Sequence, residues 1–151
     1  MKKLLLILTG LIMVGLLVGI YQQHQTIRDY RSLVYSDMAQ LREPVVAFLE
    51  FHEEAERLSE EERNEQLVQL NSRFADFFNY SGGGVHVEQK IKEEYYGSYN
   101  DAKSAYSHII QRYTDASSPE EREQAITDLR NTFERYNEFL ETAKDDLDVP
   151  I

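Results

Sequence analysis

The chain has 151 residues, which leaves room for one folded domain of about 130 residues after an apolar N-terminal block. Its 16 lysines and arginines against 27 aspartates and glutamates give a formal net charge of -11, and such a surface repels the phosphate backbone of nucleic acids. The chain contains no cysteine, which excludes disulfides, thiolate catalysis and cysteine-ligated zinc sites.

The first element is an unbroken apolar stretch, residues 4–21, which follows two lysines. Its 18 residues suit a membrane-spanning helix, which needs roughly 17–25, better than a secretory h-region of about 7–15. The end of the stretch has no pair of small residues that would mark a cleavage site, and Tyr21 is an aromatic typical of the membrane interface. We therefore predict a cytoplasmic tail at 1–3, a signal anchor at 4–21 and an extracytoplasmic domain at 22–151. Cleavage of the stretch, which would release a secreted helical domain, is the alternative.

Two glycines of the predicted anchor, Gly15 and Gly19, form a GxxxG motif. This spacing can let two membrane-spanning helices approach closely, so the pair is a candidate helix contact. The alternative is that both glycines are merely tolerated in an apolar span.

The remainder of the chain has the apolar periodicity of helices, predicted at about 24–58, 60–79, 87–115 and 119–147. The first of these carries a heptad stripe in which apolar positions recur in steps of four and three. The stripe consists of Val34, Met38, Leu41, Val45, Phe48, His52 and Ala55. Pro44 interrupts it, and its missing N–H group predicts a kink near Arg42 and Glu43.

Two capping boxes of the form S-x-x-E mark the starts of the second and fourth helices. They are Ser59 with Glu62, and Ser118 with Glu121. The segments that follow align with each other, which indicates either a duplicated hairpin or the likeness that shared caps and heptads produce on their own. Both origins predict the same all-α fold: an N-terminal transmembrane helix followed by an antiparallel four-helix bundle of two tandem helical hairpins.

Catalytic and metal-binding motifs are missing from the sequence. No Glu-x-x-His pair of a di-metal bundle is present, and neither is a P-loop, HExxH, GxSxG or GxGxxG motif. We therefore predict a protein that is not an enzyme and has no cofactor or metal. His52 lies on the apolar stripe, where a core or boundary histidine bonded to a neighbour is the main interpretation; a pH switch or a metal ligand is the alternative.

The ten tyrosines are the most suggestive feature of the domain. Tyr99, Tyr106 and Tyr113 are spaced by seven, so they share one helix face. One interpretation is a half-buried seam with the rings in the core and the hydroxyls at the rim. The other is an exposed aromatic platform for a partner or ligand. The platform would consist of Tyr80, Tyr95, Tyr96, Tyr99 and Tyr106.

Together these features predict a membrane-anchored, extracytoplasmic, non-enzymatic helical bundle. It would be a single-pass protein of the cytoplasmic membrane and would bind a protein partner or a small ligand, but not nucleic acid. The alternative function is structural, as a self-associating coiled-coil stalk that is dimerised through the span and through exposed heptad positions.

Overall fold

The computed structural model describes the backbone of residues 2–80 and 93–149 and the side chains of residues 9–75, 95 and 97–149. The described residues form five helices and no strand, so the expectation of an all-helical bundle is confirmed for them. The helices are α1 (Lys2–Gln40), α2 (Arg42–Ala55), α3 (Glu60–Tyr80), α4 (Glu93–Asp115) and α5 (Pro119–Leu147). The predicted start of the third helix at residue 87 lies outside the described residues.

The break between α1 and α2 lies at Leu41, one residue before the predicted kink. Pro44 has no N–H group to donate to the carbonyl four residues earlier, so the regular ladder is interrupted there. The Leu41 N–H group instead donates to the Met38 carbonyl at 3.2 Å, which closes a tighter turn. The same carbonyl accepts a bond of 2.8 Å from the buried Tyr136 hydroxyl of α5. The break is therefore held by a contact from another helix.

Short loops at 56–59 and 116–118 join α2 to α3 and α4 to α5, and we call the end of the bundle that they form the distal end. Each loop ends in the predicted capping box. The Ser118 Oγ atom accepts a bond of 3.2 Å from the Glu121 N–H group, and the Glu121 carboxylate accepts from the Ser118 N–H group at 3.3 Å. The equivalent bonds of Ser59 and Glu62 are 3.3 and 2.9 Å. Both predicted boxes are confirmed.

An arginine directly after each box ties the two helices of its hairpin together. Arg63 donates from Nε to the Ala55 carbonyl at 3.1 Å, and Arg122 donates from Nη2 to the Ala116 carbonyl at 3.4 Å. Ala55 is the last residue of α2 and Ala116 is the first residue after α4, a region where backbone acceptors lack partners within the helix. The two distal turns thus use the same arrangement of serine, glutamate and arginine.

The core lies between α5 on one side and α4, α1 and α2 on the other, while α3 packs mainly on α2. The predicted stripe of the first helix points into it: Val34, Met38, Leu41, Val45, Phe48 and Ala55 are all buried, and only His52 remains partly exposed. The stripe of α5 contributes Ile126, Leu129, Tyr136, Leu140 and Ala143. The 3.6-residue period of apolar residues in the sequence therefore predicted correctly which faces of these helices point into the core.

The N-terminal half of α1 extends beyond this core. Tyr30 packs partly against the bundle and Val34 is the first buried residue of α1, whereas residues 9–24 are exposed. None of the helices in the described part of the chain is both long enough and apolar enough to cross a membrane. Residues 4–8 of the predicted anchor lie outside the described side chains.

A matched pair of tyrosines tests the contact at the helix break. Replacing Tyr136→Phe removes the bond to the Met38 carbonyl and should lower the free energy of unfolding by about 1 kcal/mol. Tyr106 lies beside it, with ring centroids 6.1 Å apart, and its buried hydroxyl has no hydrogen-bond partner among the described residues. Tyr106→Phe should therefore leave stability unchanged or raise it. Urea unfolding of the full chain in mild detergent, followed by circular dichroism, measures both; equal destabilisation by the two changes would contradict this assignment.

The capping box of α5 should make stability depend on pH. The Ser117 N–H group, which donates to the Glu121 carboxylate at 2.7 Å, is the main cause that lowers the pKa of Glu121 in the folded protein. Because the charged form favours folding, its contribution is present above about pH 4.5, the ordinary value of a glutamate, and is lost as the pH falls through the lower folded pKa. Glu121→Gln keeps an acceptor oxygen but no charge, so this variant should lose less stability between pH 7 and pH 3 than the parent. Urea midpoints at the two pH values test this, with Glu120→Gln, a neighbour outside the box, as the control.

Candidate functional site

Three tyrosines of the predicted platform lie inside the bundle. Tyr95, Tyr99 and Tyr106 are 3%, 1% and 0% exposed, because their stripe on α4 faces the interface with α5. They therefore do not form an exposed aromatic surface, and their burial agrees with the alternative interpretation as part of the core seam. The side chains of Tyr80 and Tyr96 lie outside the described residues.

The hydroxyl groups of this seam do not all lie at a solvated rim. The Tyr95 hydroxyl donates to the Asp146 carboxylate of α5 at 2.9 Å. Burial raises the pKa of Tyr106 and of Tyr136, so both phenols stay protonated at physiological pH. The Tyr136 phenol donates to the Met38 carbonyl, whereas the Tyr106 phenol has no partner among the described residues, so the Tyr106 ring contributes through packing.

A three-residue polar cluster near the distal end joins α2, α4 and α5. It consists of His52, Tyr113 and Glu123, one residue from each helix. The His52 Nδ1 atom lies 3.1 Å from the Tyr113 hydroxyl oxygen, and the Nε2 atom lies 2.9 Å from the Glu123 Oε1 atom. The predicted histidine with a hydrogen-bonded neighbour is thus confirmed.

The proton positions in the cluster follow from what each group can donate. An ionised carboxylate only accepts, so the hydrogen between His52 and Glu123 belongs to Nε2. In the neutral ring Nδ1 is then an acceptor, and the Tyr113 hydroxyl donates to it. The result is a chain of two hydrogen bonds that runs from the buried phenol through the half-buried imidazole to an exposed carboxylate.

Aromatic rings and arginines surround the inner end of this chain. The Tyr113 ring meets the Phe48 ring edge to face, with centroids 5.0 Å apart, and the His52 ring at 5.6 Å. Burial raises the pKa of Tyr113, and the positive charges of Arg122 and Arg63 reduce that rise. Tyr113 is only 4% exposed, and its hydroxyl oxygen lies within hydrogen-bond distance of the histidine.

Sequence periodicity located part of this cluster. The stripes of the first and third helices placed His52 and Tyr113 on inner faces, but Glu123 lies on the outer face of α5 and is 71 residues from His52 in sequence. No local pattern signals such a pair, because two helices that meet only in the folded bundle supply the partners. Among the described residues, no group of three or more histidine, aspartate or glutamate side chains could hold a metal ion.

A second surface feature is an open groove between α2 and α3. Phe51 and Leu70 form its apolar floor, and glutamates of α2 with Arg73 of α3 form its sides. The acidic lining consists of Glu50, Glu53 and Glu54. Glu53 also faces Arg130 of α5, whose Nη2 atom lies 3.5 Å from its Oε1 atom.

The third surface feature is the exposed apolar part of α1. Every large apolar side chain from Leu11 to Tyr21 is between 50% and 65% exposed, on all sides of the helix. Apart from its chain neighbours and the adjoining helix backbone, a Cβ atom built at Gly15 or at Gly19 would meet no atom within 4 Å. Packing within the described chain therefore does not require either glycine, and the candidate helix contact at these positions stays a prediction.

Comparison with known proteins identified no family model, curated protein or solved structure that matches this chain. Functional inference therefore depends on the chain's own surfaces, among them the exposed apolar part of α1, which departs from an ordinary soluble surface.

The polar cluster near the distal end can be tested by removing one hydroxyl. Tyr113→Phe leaves the His52 Nδ1 atom half-buried without its donor and should lower the free energy of unfolding by about 1 kcal/mol. Glu123→Gln is the matched control, because its amide oxygen still accepts from Nε2 at an exposed site. Urea unfolding of the full chain in detergent measures both variants. A Tyr113→Phe variant as stable as the parent would contradict a stabilising role for this hydrogen bond.

Proposed function

We propose that this chain is a membrane-anchored, non-enzymatic helical bundle that is held outside the cytoplasm and binds a protein partner. The observation that carries the proposal is the continuity of α1, which runs without a break from the exposed apolar stretch into the core. The anchor would be residues 4–21, in a single-pass protein of the cytoplasmic membrane.

The exposure of the apolar stretch supports an anchoring role. Apolar surface left in water costs about 25 cal/mol for each Å², and a helix that is apolar all round is normally covered by protein or lipid. No described helix covers the side chains from Leu11 to Tyr21. Lipid would cover all sides of such a helix at once, whereas a single partner helix would cover only one.

The continuity of α1 would also determine the distance between the core of the domain and the membrane. From Tyr21 to Val34, the first buried residue of α1, the helix rises about 20 Å at 1.5 Å per residue. A helical connection of this kind would hold the core at a set distance from the membrane. A flexible linker would instead leave distance and orientation free.

The basic residues at the two ends of the anchor bear on its orientation, and those before it favour a domain outside the cytoplasm. Lys2 and Lys3 precede the anchor, and positive charge favours the cytoplasmic side. Arg28 and Arg31 follow the anchor and would favour the opposite orientation. Labelling of the domain in intact cells, described below, decides between the two orientations.

The filled core and the open groove favour a protein partner over an enclosed small ligand. The rings of Tyr99, Tyr106 and Phe48 occupy the space between the helices, and each is at most 1% exposed. The groove between α2 and α3 is open to solvent and combines an apolar floor with acidic sides. A basic, amphipathic helix of a partner would complement it in shape and charge.

Cysteine labelling tests the proposed location, because the natural chain has no cysteine. A single cysteine introduced by Glu138→Cys on the exposed face of α5 should react with a membrane-impermeant maleimide in intact cells. The protein should also stay in the membrane fraction after alkaline extraction and keep residues 4–21. Reaction only after permeabilisation would contradict the orientation, and a mature N-terminus near Tyr21 would contradict the anchor.

The structural alternative is tested by size. Full-length protein in detergent is compared with residues 24–151 by light scattering. A stalk that is dimerised through the span and Gly15 predicts a dimer for the full-length chain, which Gly15→Leu should disrupt. A monomer in both forms would exclude the stalk.

A further inference from the structure

A group of three basic residues follows the apolar part of α1 directly. His24 and Arg28 are exposed, Arg31 is half-buried, and Asp29 is the only acid before Asp37. None of the three basic side chains forms an ion pair with a described residue. This short segment is therefore positively charged and has no acidic partner in the described bundle.

The segment contrasts with the rest of the domain. Residues 32–151 contain 12 lysines and arginines against 26 aspartates and glutamates. An anionic membrane surface would repel this acidic body and attract the basic segment. The charge of the chain thus changes sign along α1, close to the end of the apolar stretch.

The helix places the basic residues on the same face as apolar residues. Leu17, Tyr21, His24 and Arg28 follow one another in steps of four, three and four, which puts them on one face of α1. They line a shallow surface depression together with Ile20 and Gln25, which donates to the Tyr21 hydroxyl at 3.0 Å. Apolar, aromatic and basic side chains are therefore arranged in the order in which a bilayer presents hydrocarbon, interface and headgroup.

The depth of these residues matches the headgroup layer. His24 and Arg28 lie about 4.5 and 10 Å beyond Tyr21 along the helix axis, and each headgroup region is roughly 5–8 Å thick. Side chains on a helix lean towards its N-terminus, which here is the membrane side. The long Arg28 side chain can therefore reach back to lipid phosphates, and its guanidinium group can bond them in bidentate fashion.

We infer that His24 and Arg28 bind the phosphate groups of anionic membrane lipids and so set the depth of α1 and hold the acidic bundle away from the membrane surface. The inference rests on the proposed anchor and adds its lipid partner. Arg28 supplies the permanent charge, and His24 supplies a further hydrogen-bond donor on the same face. Arg31 lies farther from Tyr21, is half-buried and does not line the depression, so it is not part of this site.

Energy transfer from a single tryptophan tests the lipid contact, because the natural chain has no tryptophan. The full chain with Tyr21→Trp is reconstituted into phosphatidylcholine vesicles that contain a small, equal fraction of dansyl-labelled phosphatidylglycerol or dansyl-labelled phosphatidylcholine. Transfer to the anionic probe should be the stronger. Arg28→Gln should reduce the local enrichment of that probe about fivefold, as expected for one basic residue near an anionic surface. Adding His24→Gln should weaken it further.

Arg130→Gln is the matched control, because Arg130 lies on α5, in the half of that helix nearer the distal end, and should leave the enrichment unchanged. Equal transfer to both probes in the parent, or a preference that survives the double change at His24 and Arg28, would overturn the inference. Flotation of the vesicles separates this result from failure of the anchor. Protein that floats without a lipid preference contradicts only the lipid site, whereas protein that does not float contradicts the anchor and the site together.

Discussion

The apolar face of α5 is the constraint on which the rest of the bundle depends, because α4, α1 and α2 all pack against it. Ile126, Leu129 and Leu140 on this face are at most 1% exposed. Each fully buried side chain of this size contributes roughly 1.5–3 kcal/mol. No disulfide supplements the packing, since the chain has no cysteine. The positions of α1, α2 and α4 therefore depend on their packing against the apolar face of α5.

Hydrogen bonds and ion pairs fix the relative positions of the helices at places where apolar packing alone would not. At the distal end, two capping boxes, two arginines and the cluster of His52, Tyr113 and Glu123 tie four helix ends together. At mid-height, the Tyr136 hydroxyl satisfies a carbonyl at the break between α1 and α2. At the opposite end of the bundle, the Tyr95 hydroxyl bonds the Asp146 carboxylate, and α1 leaves the core as one continuous helix. Most of the polar bonds named here thus lie at the distal end, and a single helix extends the bundle at the other end.

Local patterns in the sequence were sufficient for the helical class, the inner faces and the helix starts at Ser59 and Ser118. Each of these depends on groups within about one or two turns of helix: a 3.6-residue apolar period, or a serine and a glutamate three positions apart. Pro44 located the break to within one residue for the same reason, since the N–H group that it lacks would bond inside the same helix. The apolar stretch at residues 4–21 is likewise evident from composition alone.

Only the tertiary structure decided which residues of those faces meet. The bond from Tyr136 to the Met38 carbonyl joins positions 98 apart, and that from His52 to Glu123 joins positions 71 apart. Periodicity assigned the tyrosines of α4 to one face, but the packing of α4 on α5 determined that Tyr99 is buried and is not a surface for a partner. The physical reason is the sequence distance over which each interaction acts. Helix formation and capping depend on residues close in sequence, whereas burial and the pairing of side chains depend on how whole helices pack against one another.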